Sequence, residues 1–102
     1  MDNYTNRFKR ALNEGRTVFG AWLMSGTPAT AEALGVCGFD FLVVDMEHVP
    51  LDTADMIEIL RAVAGTPAHA IVRPPWNDTV MVKRAMDAGA QSLLFPFVQN
   101  AD

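Results

Sequence analysis

Three ionisable side chains follow an apolar run near the middle of the chain. Phe39 to Val44 is short, aromatic and β-branched, which predicts a parallel-type β-strand buried on both faces. Asp45, Glu47 and His48 come directly after it. The carboxyl ends of parallel strands are where α/β folds bind ligands and perform chemistry, because rigid strand ends carry loops that are free to vary. The spacing therefore predicts an acid–base site at this strand end.

His48 is the natural proton-transfer group of this set, because free imidazole titrates at a pKa of ~6.5 and Asp45, three residues earlier, could fix its tautomer. A solvated loop histidine is the alternative, and it is the commoner outcome for a lone histidine. Glu47 and His48 also resemble part of a metal site. However, adjacent residues cannot both turn inward from one strand, and a catalytic zinc site usually has three protein ligands.

Arg73 stands at the end of the next predicted strand, Ala68 to Val72, and so at the same edge as Asp45 and His48. A guanidinium is always charged and forks onto carboxylates or an enolate oxygen. Arg73 therefore indicates either an acidic substrate or a structural salt bridge to Asp45 or Glu47, and residue type leaves both open. His69 begins the same strand, at the opposite end, and is predicted to be structural.

Other residues add less to the site. Trp22 ends the first predicted strand and could wall a pocket, although packing is the commoner role of a tryptophan. Lys9 and Lys83 fall on predicted helices, so no lysine at a strand end is a candidate for a Schiff base. No glycine-rich phosphate-binding motif is present in the sequence.

Composition limits the classes of function. The chain has 102 residues, 50% hydrophobic and 20% charged, with a net charge of −4. This is typical of a globular protein and carries no basic patch for nucleic acid. The lone Cys37 excludes an internal disulfide and agrees with a reducing compartment. No signal peptide or membrane-length apolar run is found. We expect a cytoplasmic protein without nucleic-acid or membrane partners.

Apolar runs alternate with helical patterns along the whole chain. After a leading helix, about Tyr4 to Asn13, the predicted strands are Val18 to Leu23, Phe39 to Val44, Ala68 to Val72 and Ser92 to Val98. The predicted helices run from Thr27 and Pro28 to about Val36, from Asp52 to about Ala64, and onward from Asn77 and Asp78. Gly15, Gly38, Gly65 and Gly89 are placed for left-handed helix caps.

This order predicts an α/β fold, either a small open doubly wound sheet or the N-terminal half of a (β/α)₈ TIM barrel. A complete barrel needs ~250 residues, which favours the open sheet. The final residues, Gln99 to Asp102, look like the start of another helix, which favours the barrel. We expect residues 1–102 to form one partial barrel domain, truncated before its C-terminal half.

Six motifs in order resemble the N-terminal part of the HpcH/HpaI aldolase family. They are Phe8-Lys9-Arg10-Ala11-Leu12 with Gly15, Gly20-Ala21-Trp22-Leu23, Gly38-Phe39-Asp40-Phe41, Asp45-Met46-Glu47-His48, Val72-Arg73-Pro74-Pro75-Trp76-Asn77-Asp78 and Pro96-Phe97-Val98-Gln99-Asn100-Ala101. The resemblance covers essentially the whole chain and implies a class II pyruvate aldolase. Such an enzyme cleaves a 4-hydroxy-2-oxo acid reversibly to pyruvate and an aldehyde.

The resemblance also implies a role for each matching residue. His48 matches the general base that acts on the substrate hydroxyl, and Arg73 matches the arginine that stabilises the enolate-like transition state. Asp87 matches an acidic position that raises the basicity of the histidine, an assignment that rests on the resemblance alone. Asp45 matches a supporting partner of the histidine, and Trp22 a pocket wall.

The family's divalent metal, magnesium, manganese or cobalt, is held by a glutamate and an aspartate on later strands. Those positions lie beyond Asp102, so we expect no metal ligands in this chain and no activity from it alone. The resemblance implies a homo-oligomer for the complete enzyme. A citrate-lyase-like CoA-ester lyase, or a noncatalytic half-barrel that binds oxo acids or a partner subunit, are the alternatives.

Overall fold

Helices and strands alternate along the chain, as the apolar pattern predicts. The structure is a computed structural model and describes residues 5–102. The elements, in chain order, are α1 (Arg7–Asn13), β1 (Gly20–Leu23), α2 (Pro28–Gly35), β2 (Phe41–Asp45), α3 (Thr53–Ala64), β3 (His69–Arg73) and α4 (Thr79–Asp87). The strands are parallel and adjacent in the order β1-β2-β3. The predicted parallel α/β architecture is therefore confirmed. None of the helices described over residues 5–102 is long and apolar enough to cross a membrane.

Side-chain caps fix where three of the helices begin. Thr27 caps α2 and Asp78 caps α4, and each accepts a backbone N–H from the first turn of its helix. Asp52 and Asp55 cap each other's backbone N–H groups at the start of α3. These side-chain oxygens satisfy donors that the first helical turn leaves without a partner, so the predicted starts of these helices are confirmed.

Glycines end three of the helices in the left-handed conformation. Gly15, Gly38 and Gly89 have φ values of 73°, 103° and 112°. Gly65 has a φ of −82°, so the left-handed cap predicted there is wrong. The chain leaves α3 through a turn in which the N–H of Thr66 bonds back to a carbonyl of the helix, and this turn needs no left-handed residue.

One face of the sheet packs on the helices and forms the core. Leu23, Val44 and Val72 are register partners across the three strands and are each at most 1% exposed. They belong to one buried cluster with Met56 and Ile59 of α3. Alternate residues of a strand point to opposite faces, so this set defines the helix-covered side.

The opposite face carries three of the residues singled out as candidates, Trp22, Asp45 and Arg73. Trp22, Val43 and Ile71 are register partners on that side, and Asp45 pairs with Arg73 two residues nearer the carboxyl ends. The two strand ends thus bring a carboxylate and a guanidinium to the same level of the same face. Trp22 lies one layer below them on the neighbouring strand.

Helix α1 covers the amino end of this second face. The Phe8 ring packs edge-on against Phe41, with centroids 5.2 Å apart, and stacks on His69 at 5.9 Å. The hydroxyl of Ser92 lies 2.8 Å from Nε2 of His69 and accepts a hydrogen bond from the Asn6 amide. His69 is therefore part of the packing at the amino end, as the sequence predicts.

Some predicted bounds are wrong. Ser92 to Val98 is not a strand: only Leu93 makes a bridge, to Val72. Pro96 has no N–H for a ladder, and Phe97 has a φ of 56°, which turns the chain out of the extended conformation. The helix predicted from Gln99 is absent up to the last residue described. The predicted start of the leading helix, Tyr4, lies outside the described residues.

Candidate active site

The centre of the candidate site is a buried ion pair between two strand ends. Asp45 and Arg73 are the last residues of β2 and β3 and are direct register partners. Nε of Arg73 donates to Oδ1 of Asp45 at 3.1 Å, and Nη2 donates to Oδ2 at 2.6 Å. The Asp45 side chain is 1% exposed and that of Arg73 is 19% exposed. This two-pronged geometry is the strongest form of carboxylate recognition by arginine.

Asp45 accepts three further hydrogen bonds. Its Oδ1 accepts the backbone N–H groups of Glu47 at 2.8 Å and His48 at 3.2 Å, which fixes the turn that follows β2. Its Oδ2 accepts the indole N–H of Trp22 at 3.3 Å. Burial alone would raise the pKa of Asp45, but the Arg73 hydrogen bond and the two backbone donors outweigh it and lower the pKa to about 2. The carboxylate is therefore ionised throughout the physiological range.

Trp22 also orients the guanidinium of Arg73. The Cζ atom of Arg73 lies 5.1 Å from the centroid of the Trp22 ring, which is cation–π distance. The pKa of Arg73 is raised, chiefly by its hydrogen bond to Asp45. Trp22 was predicted as a pocket wall. The structure gives its indole two contacts, with Asp45 and Arg73, so that it packs against both members of the ion pair.

Glu47 connects the ion pair to His48. Its side chain is 16% exposed, and its Oε1 lies 3.4 Å from Nη1 of Arg73. The same oxygen lies 2.9 Å from Nε2 of His48, whose side chain is 69% exposed. The imidazole thus stands at the water-facing rim of the charged cluster. The structure brings His48, Arg73, Asp45 and Trp22 together, as predicted.

The predicted pairing of Asp45 with the imidazole of His48 is not present. Asp45 contacts the backbone N–H of His48, and both of its oxygens are occupied by Arg73 and other donors. Within residues 5–102 the carboxylate that reaches the imidazole is Glu47. Residues 46–49 are a bend rather than a strand, so the side chains of Glu47 and His48 need not alternate. The sequence argument against a metal site at Glu47 and His48 assumed that strand alternation continues past Asp45.

The structure does not bring Asp87 to His48. Asp87 is the last residue of α4, and its 68%-exposed carboxylate pairs with Lys83 at 3.0 Å. A helix that connects parallel strands runs antiparallel to them, so its C-terminus lies near their amino ends. The next residues confirm this placement, since Ser92 contacts His69 at the start of β3. Asp87 and His48 are therefore at opposite ends of the sheet in one chain.

The residues present do not fit a metal site. Over residues 5–102 no group of three histidine, cysteine, aspartate or glutamate side chains is placed to hold an ion. Both oxygens of Asp45 face the guanidinium of Arg73, and the Oε1 of Glu47 lies between two basic side chains. A cation at this cluster would compete directly with Arg73.

A second aromatic pair lies beyond the strand ends. Trp76, three residues after Arg73, stacks on Phe97 with ring centroids 5.1 Å apart and planes inclined by 27°. Both rings are at least half exposed. In the sequence, Trp76 stands out only as part of the motif that contains Arg73, and nothing there pairs it with Phe97. The two are 21 positions apart in the sequence, so no local pattern signals the contact.

Comparisons with known proteins agree with this geometry. Residues 18–102 match the sequence model of the family described as HpcH/HpaI aldolase/citrate lyase. The chain is 45% identical over 102 residues to a hydroxypyruvate/pyruvate aldolase of Sagittula stellata, an alignment that covers 100% of this chain and 40% of that protein. It is 46% identical over 97 residues to a 4-hydroxy-2-oxo-heptane-1,7-dioate aldolase of Salmonella dublin, covering 95% and 37% of the two.

A solved structure gives the same result. The chain superposes on an HpcH/HpaI aldolase/citrate lyase family protein from Burkholderia cenocepacia with a TM-score of 0.89 and 41% identity, covering 94% of this chain and 38% of that one. The chain thus spans about 40% of the length of the curated relatives that it matches, and corresponds to their N-terminal part. Its α/β architecture is that part of a TIM barrel. The chain belongs to the HpcH/HpaI aldolase/citrate lyase family.

Proposed function

We propose that this chain supplies the acid–base part of the active site of a pyruvate aldolase. The reaction is the reversible cleavage of a 4-hydroxy-2-oxo acid to pyruvate and an aldehyde. The observation that carries the proposal is the shared placement of His48 and Arg73 beside Glu47 at the carboxyl ends of parallel strands. The names of the two relatives, both aldolases of oxo acids, support it.

His48 is proposed to move the proton. It accepts the proton of the substrate's 4-hydroxyl, and the O–H electron pair becomes the second bond of the aldehyde C=O. The C3–C4 bond breaks, and its electron pair forms the enolate of pyruvate. The protonated imidazole then returns the proton to C3, which completes pyruvate. The 69% exposure of the His48 side chain supports this role, because a base must be accessible to substrate.

Arg73 is proposed to stabilise the enolate oxygen. A guanidinium has five N–H donors, and Asp45 takes two of those of Arg73. One more faces Glu47 across 3.4 Å. Two donors therefore remain for a substrate oxygen. Asp45 and Trp22 hold the guanidinium in place before substrate arrives, so little reorganisation is needed when negative charge develops.

We also propose that turnover depends on a divalent cation. No group of three histidine, cysteine, aspartate or glutamate side chains over residues 5–102 is placed to hold one, so we propose that its ligands come from other parts of the complete enzyme. The test is removal of divalent ions by a chelator, which we expect to abolish pyruvate release. Magnesium, manganese or cobalt is expected to restore it, to extents that would identify the preferred ion.

The activity is tested on the product of the full reading frame that encodes this segment. Pyruvate release from 4-hydroxy-2-oxo acids is measured by coupling to lactate dehydrogenase and NADH. His48→Asn is expected to lower kcat by about 10²- to 10⁴-fold, and Arg73→Lys by about 10²- to 10³-fold. Arg61→Lys, at an exposed arginine of α3 paired with Glu58, is the matched control and is expected to keep wild-type activity.

Two outcomes would replace the proposal. Cleavage of an acyl-CoA thioester without activity on free oxo acids would favour the citrate-lyase branch that the family description includes. Carboxylate binding that is unaffected by chelator, with no turnover of either class, would favour a noncatalytic binding protein.

Three broader assignments belong to the same proposal. We take residues 1–102 to be part of a single barrel domain, the protein to be cytoplasmic, and the complete enzyme to be a homo-oligomer. Size-exclusion chromatography with light scattering tests the last of these. Cell fractionation tests the location, and limited proteolysis followed by mass spectrometry tests whether a domain boundary lies within the segment.

A further inference from the structure

An exposed aromatic pair, Trp76 and Phe97, lies beyond the strand ends, and the proposed mechanism does not use it. The parallel bridge at the edge of the sheet joins Val72 to Leu93. Positions 21 residues apart are thus equivalent on the two segments, and the same spacing relates Trp76 to Phe97. Their rings stack with centroids 5.1 Å apart. The two loops therefore bring matching positions together into one aromatic surface at the carboxyl end of the sheet.

The aromatic pair is carried on stiff segments that begin at the strand ends. Only Pro74 and Pro75 separate Arg73 from Trp76, and Pro74 is fully buried. Because each proline ring locks its own φ angle, this link has little freedom. Phe97 also follows a buried proline. Both rings are therefore held a short, fixed distance along the chain from the strand ends.

Phe97 adopts a backbone conformation that its side chain does not favour. Its φ of 56° lies in the left-handed region, and the other residues described with positive φ values over residues 5–102 are glycines. A bulky residue in that region is strained, and such strain is concentrated at ligand-binding and active sites. In this conformation the Phe97 ring stacks on Trp76.

The exposed ring surface suits a flat, uncharged group. Trp76 is 50% exposed and Phe97 is 64% exposed, although each ring already contacts the other. Residues 74–78 and 95–99 contain no lysine, arginine or histidine, and Asp78 adds a negative charge. A carboxylate at this surface would therefore meet no cation from these two loops, whereas an aromatic ring would bury apolar area and stack.

We propose that the aromatic pair binds the substituent on C4 of the substrate and favours an aromatic ring there, so that an aromatic aldehyde is released. Arg73 is assigned to the enolate oxygen of the pyruvate part, and the C4 substituent lies at the other end of the 4-hydroxy-2-oxo acid. That end reaches past Arg73 to the loops that carry Trp76 and Phe97. The identity of the substrate rests on the proposed aldolase function, but the aromatic surface does not depend on turnover.

Selectivity is measured by pyruvate release from three substrates with the product of the full reading frame. The phenyl substrate, 4-hydroxy-2-oxo-4-phenylbutanoate, releases benzaldehyde. The methyl substrate, 4-hydroxy-2-oxopentanoate, releases acetaldehyde, and 4-hydroxy-2-oxoheptanedioate releases an aldehyde that carries a carboxylate. The wild type is expected to have a kcat/KM about 10-fold or more higher for the phenyl substrate than for either of the others. An equal or lower kcat/KM for the phenyl substrate would overturn the proposal.

Trp76→Leu and Phe97→Leu each test one ring. Leucine is apolar but offers no ring face, so each variant is expected to lower the ratio of kcat/KM for the phenyl substrate to that for the methyl substrate by about 3- to 10-fold. The double variant is expected to lose little more than either single variant, because the two rings form one surface. Phe19→Leu, at an exposed phenylalanine just before β1, is the matched control and is expected to keep the wild-type ratio.

The alternative role of the aromatic pair is packing against the rest of the complete enzyme. Trp76→Leu and Phe97→Leu would then lower Tm and would reduce kcat/KM for the phenyl and methyl substrates by the same factor. That result would contradict the proposal, because a ring that only packs has no reason to discriminate between substituents.

Binding is measured without turnover by NMR of full-length protein labelled with ¹⁵N-tryptophan. Benzyl alcohol is the probe, because it has the ring but no carbonyl. The indole N–H signal of Trp76, assigned by difference from Trp76→Leu, is expected to shift on titration. A signal that stays unchanged up to the solubility limit of benzyl alcohol would also overturn the proposal. A shift in a protein that releases no pyruvate from any of the three substrates would refute the aldolase assignment alone.

Discussion

The two ends of the same sheet face use their polar residues in different ways. At the carboxyl ends, Asp45 and Arg73 form a charged cluster whose histidine, His48, is 69% exposed. At the amino ends, His69 is enclosed between the Phe8 ring and the hydroxyl of Ser92. Burial lowers the pKa of His69, helped by the nearby charge of Arg7, so the neutral imidazole is favoured there.

This difference separates stability from chemistry. A neutral histidine that stacks and makes one hydrogen bond behaves as a core residue. A half-buried group of charges is tolerated only when its members are paired, and this one leaves the imidazole of His48 exposed to solvent. In barrels of this type, the active-site residues lie at the carboxyl ends of the strands, whereas residues at the amino ends serve stability. The present chain has one histidine in each environment, which makes the comparison testable.

The largest effect on stability is expected from Arg73→Met. The Asp45 carboxylate, 1% exposed, would lose its charged partner and keep only hydrogen bonds from Trp22 and two backbone groups. Breaking a buried pair from one side typically costs about 3 to 5 kcal/mol. Urea unfolding of the full-length protein measures the loss.

The double variant Asp45→Asn/Arg73→Met is the control for this prediction. It removes both charges and keeps an amide oxygen that can accept the backbone N–H groups of residues 47 and 48. Stability is expected to recover in part, whereas activity is expected to stay lost. A double variant as unstable as the single one would mean that buried charge is not the cause.

The next largest effect is a loss of folding stability at low pH. Asp45 has a pKa of about 2 in the folded protein against an ordinary value of 3.8. The unfolded chain therefore takes up the proton first as pH falls. The stabilisation, about 2 kcal/mol for this shift, is fully present above pH 3.8 and is lost as pH falls from there to about 2. Thermal unfolding between pH 2 and 5 measures this stabilisation. The dependence of Tm on pH is expected to be weaker in Asp45→Asn.

The sequence predicts the paired strand ends better than it predicts their neighbours. β2 and β3 are bounded by clear changes from apolar to charged residues, so the shared level of Asp45 and Arg73 follows from parallel pairing alone. The region from Ser92 onward is equally apolar but forms only one bridge, at Leu93. An apolar segment forms a strand only when a neighbouring segment pairs with it through backbone hydrogen bonds. The composition of the segment does not show whether such a neighbour is present.

The contact between Glu47 and His48 was missed for a related reason. Period-two alternation holds inside a strand, but β2 ends at Asp45, and the following bend obeys no such rule. The signal that could have found it is the buried carboxylate of Asp45, which is placed to accept the next backbone N–H groups and to curl the chain back. A turn of this kind is recognisable from an aspartate at a strand end.

A smaller effect is expected at the amino end from His69→Phe. The variant keeps the ring stacked on Phe8 but loses the hydrogen bond with Ser92, which typically costs about 1 kcal/mol.

The wild type should also lose stability as pH falls below 6.5, because the unfolded chain protonates His69 more readily than the folded one. The variant should lack that loss. The value of kcat/KM is expected to stay within twofold of the wild type. A larger fall would show that the amino end of the sheet also contributes to activity.

The smallest effect on stability is expected from Asp87→Asn. The Lys83–Asp87 pair is 74% and 68% exposed, and such pairs contribute about 0.5 kcal/mol or less. Glu14→Gln, which breaks the exposed Arg10–Glu14 pair one helical turn apart, is the matched control.

The informative measurement on Asp87→Asn is kcat. Within one chain Asp87 is at the opposite end of the sheet from His48, so its carboxylate cannot tune that imidazole directly. If kcat falls in Asp87→Asn but not in Glu14→Gln, at unchanged stability, the carboxylate must reach the site from another copy of the chain. If kcat is unchanged in both variants, the carboxylate of Asp87 has no part in tuning His48.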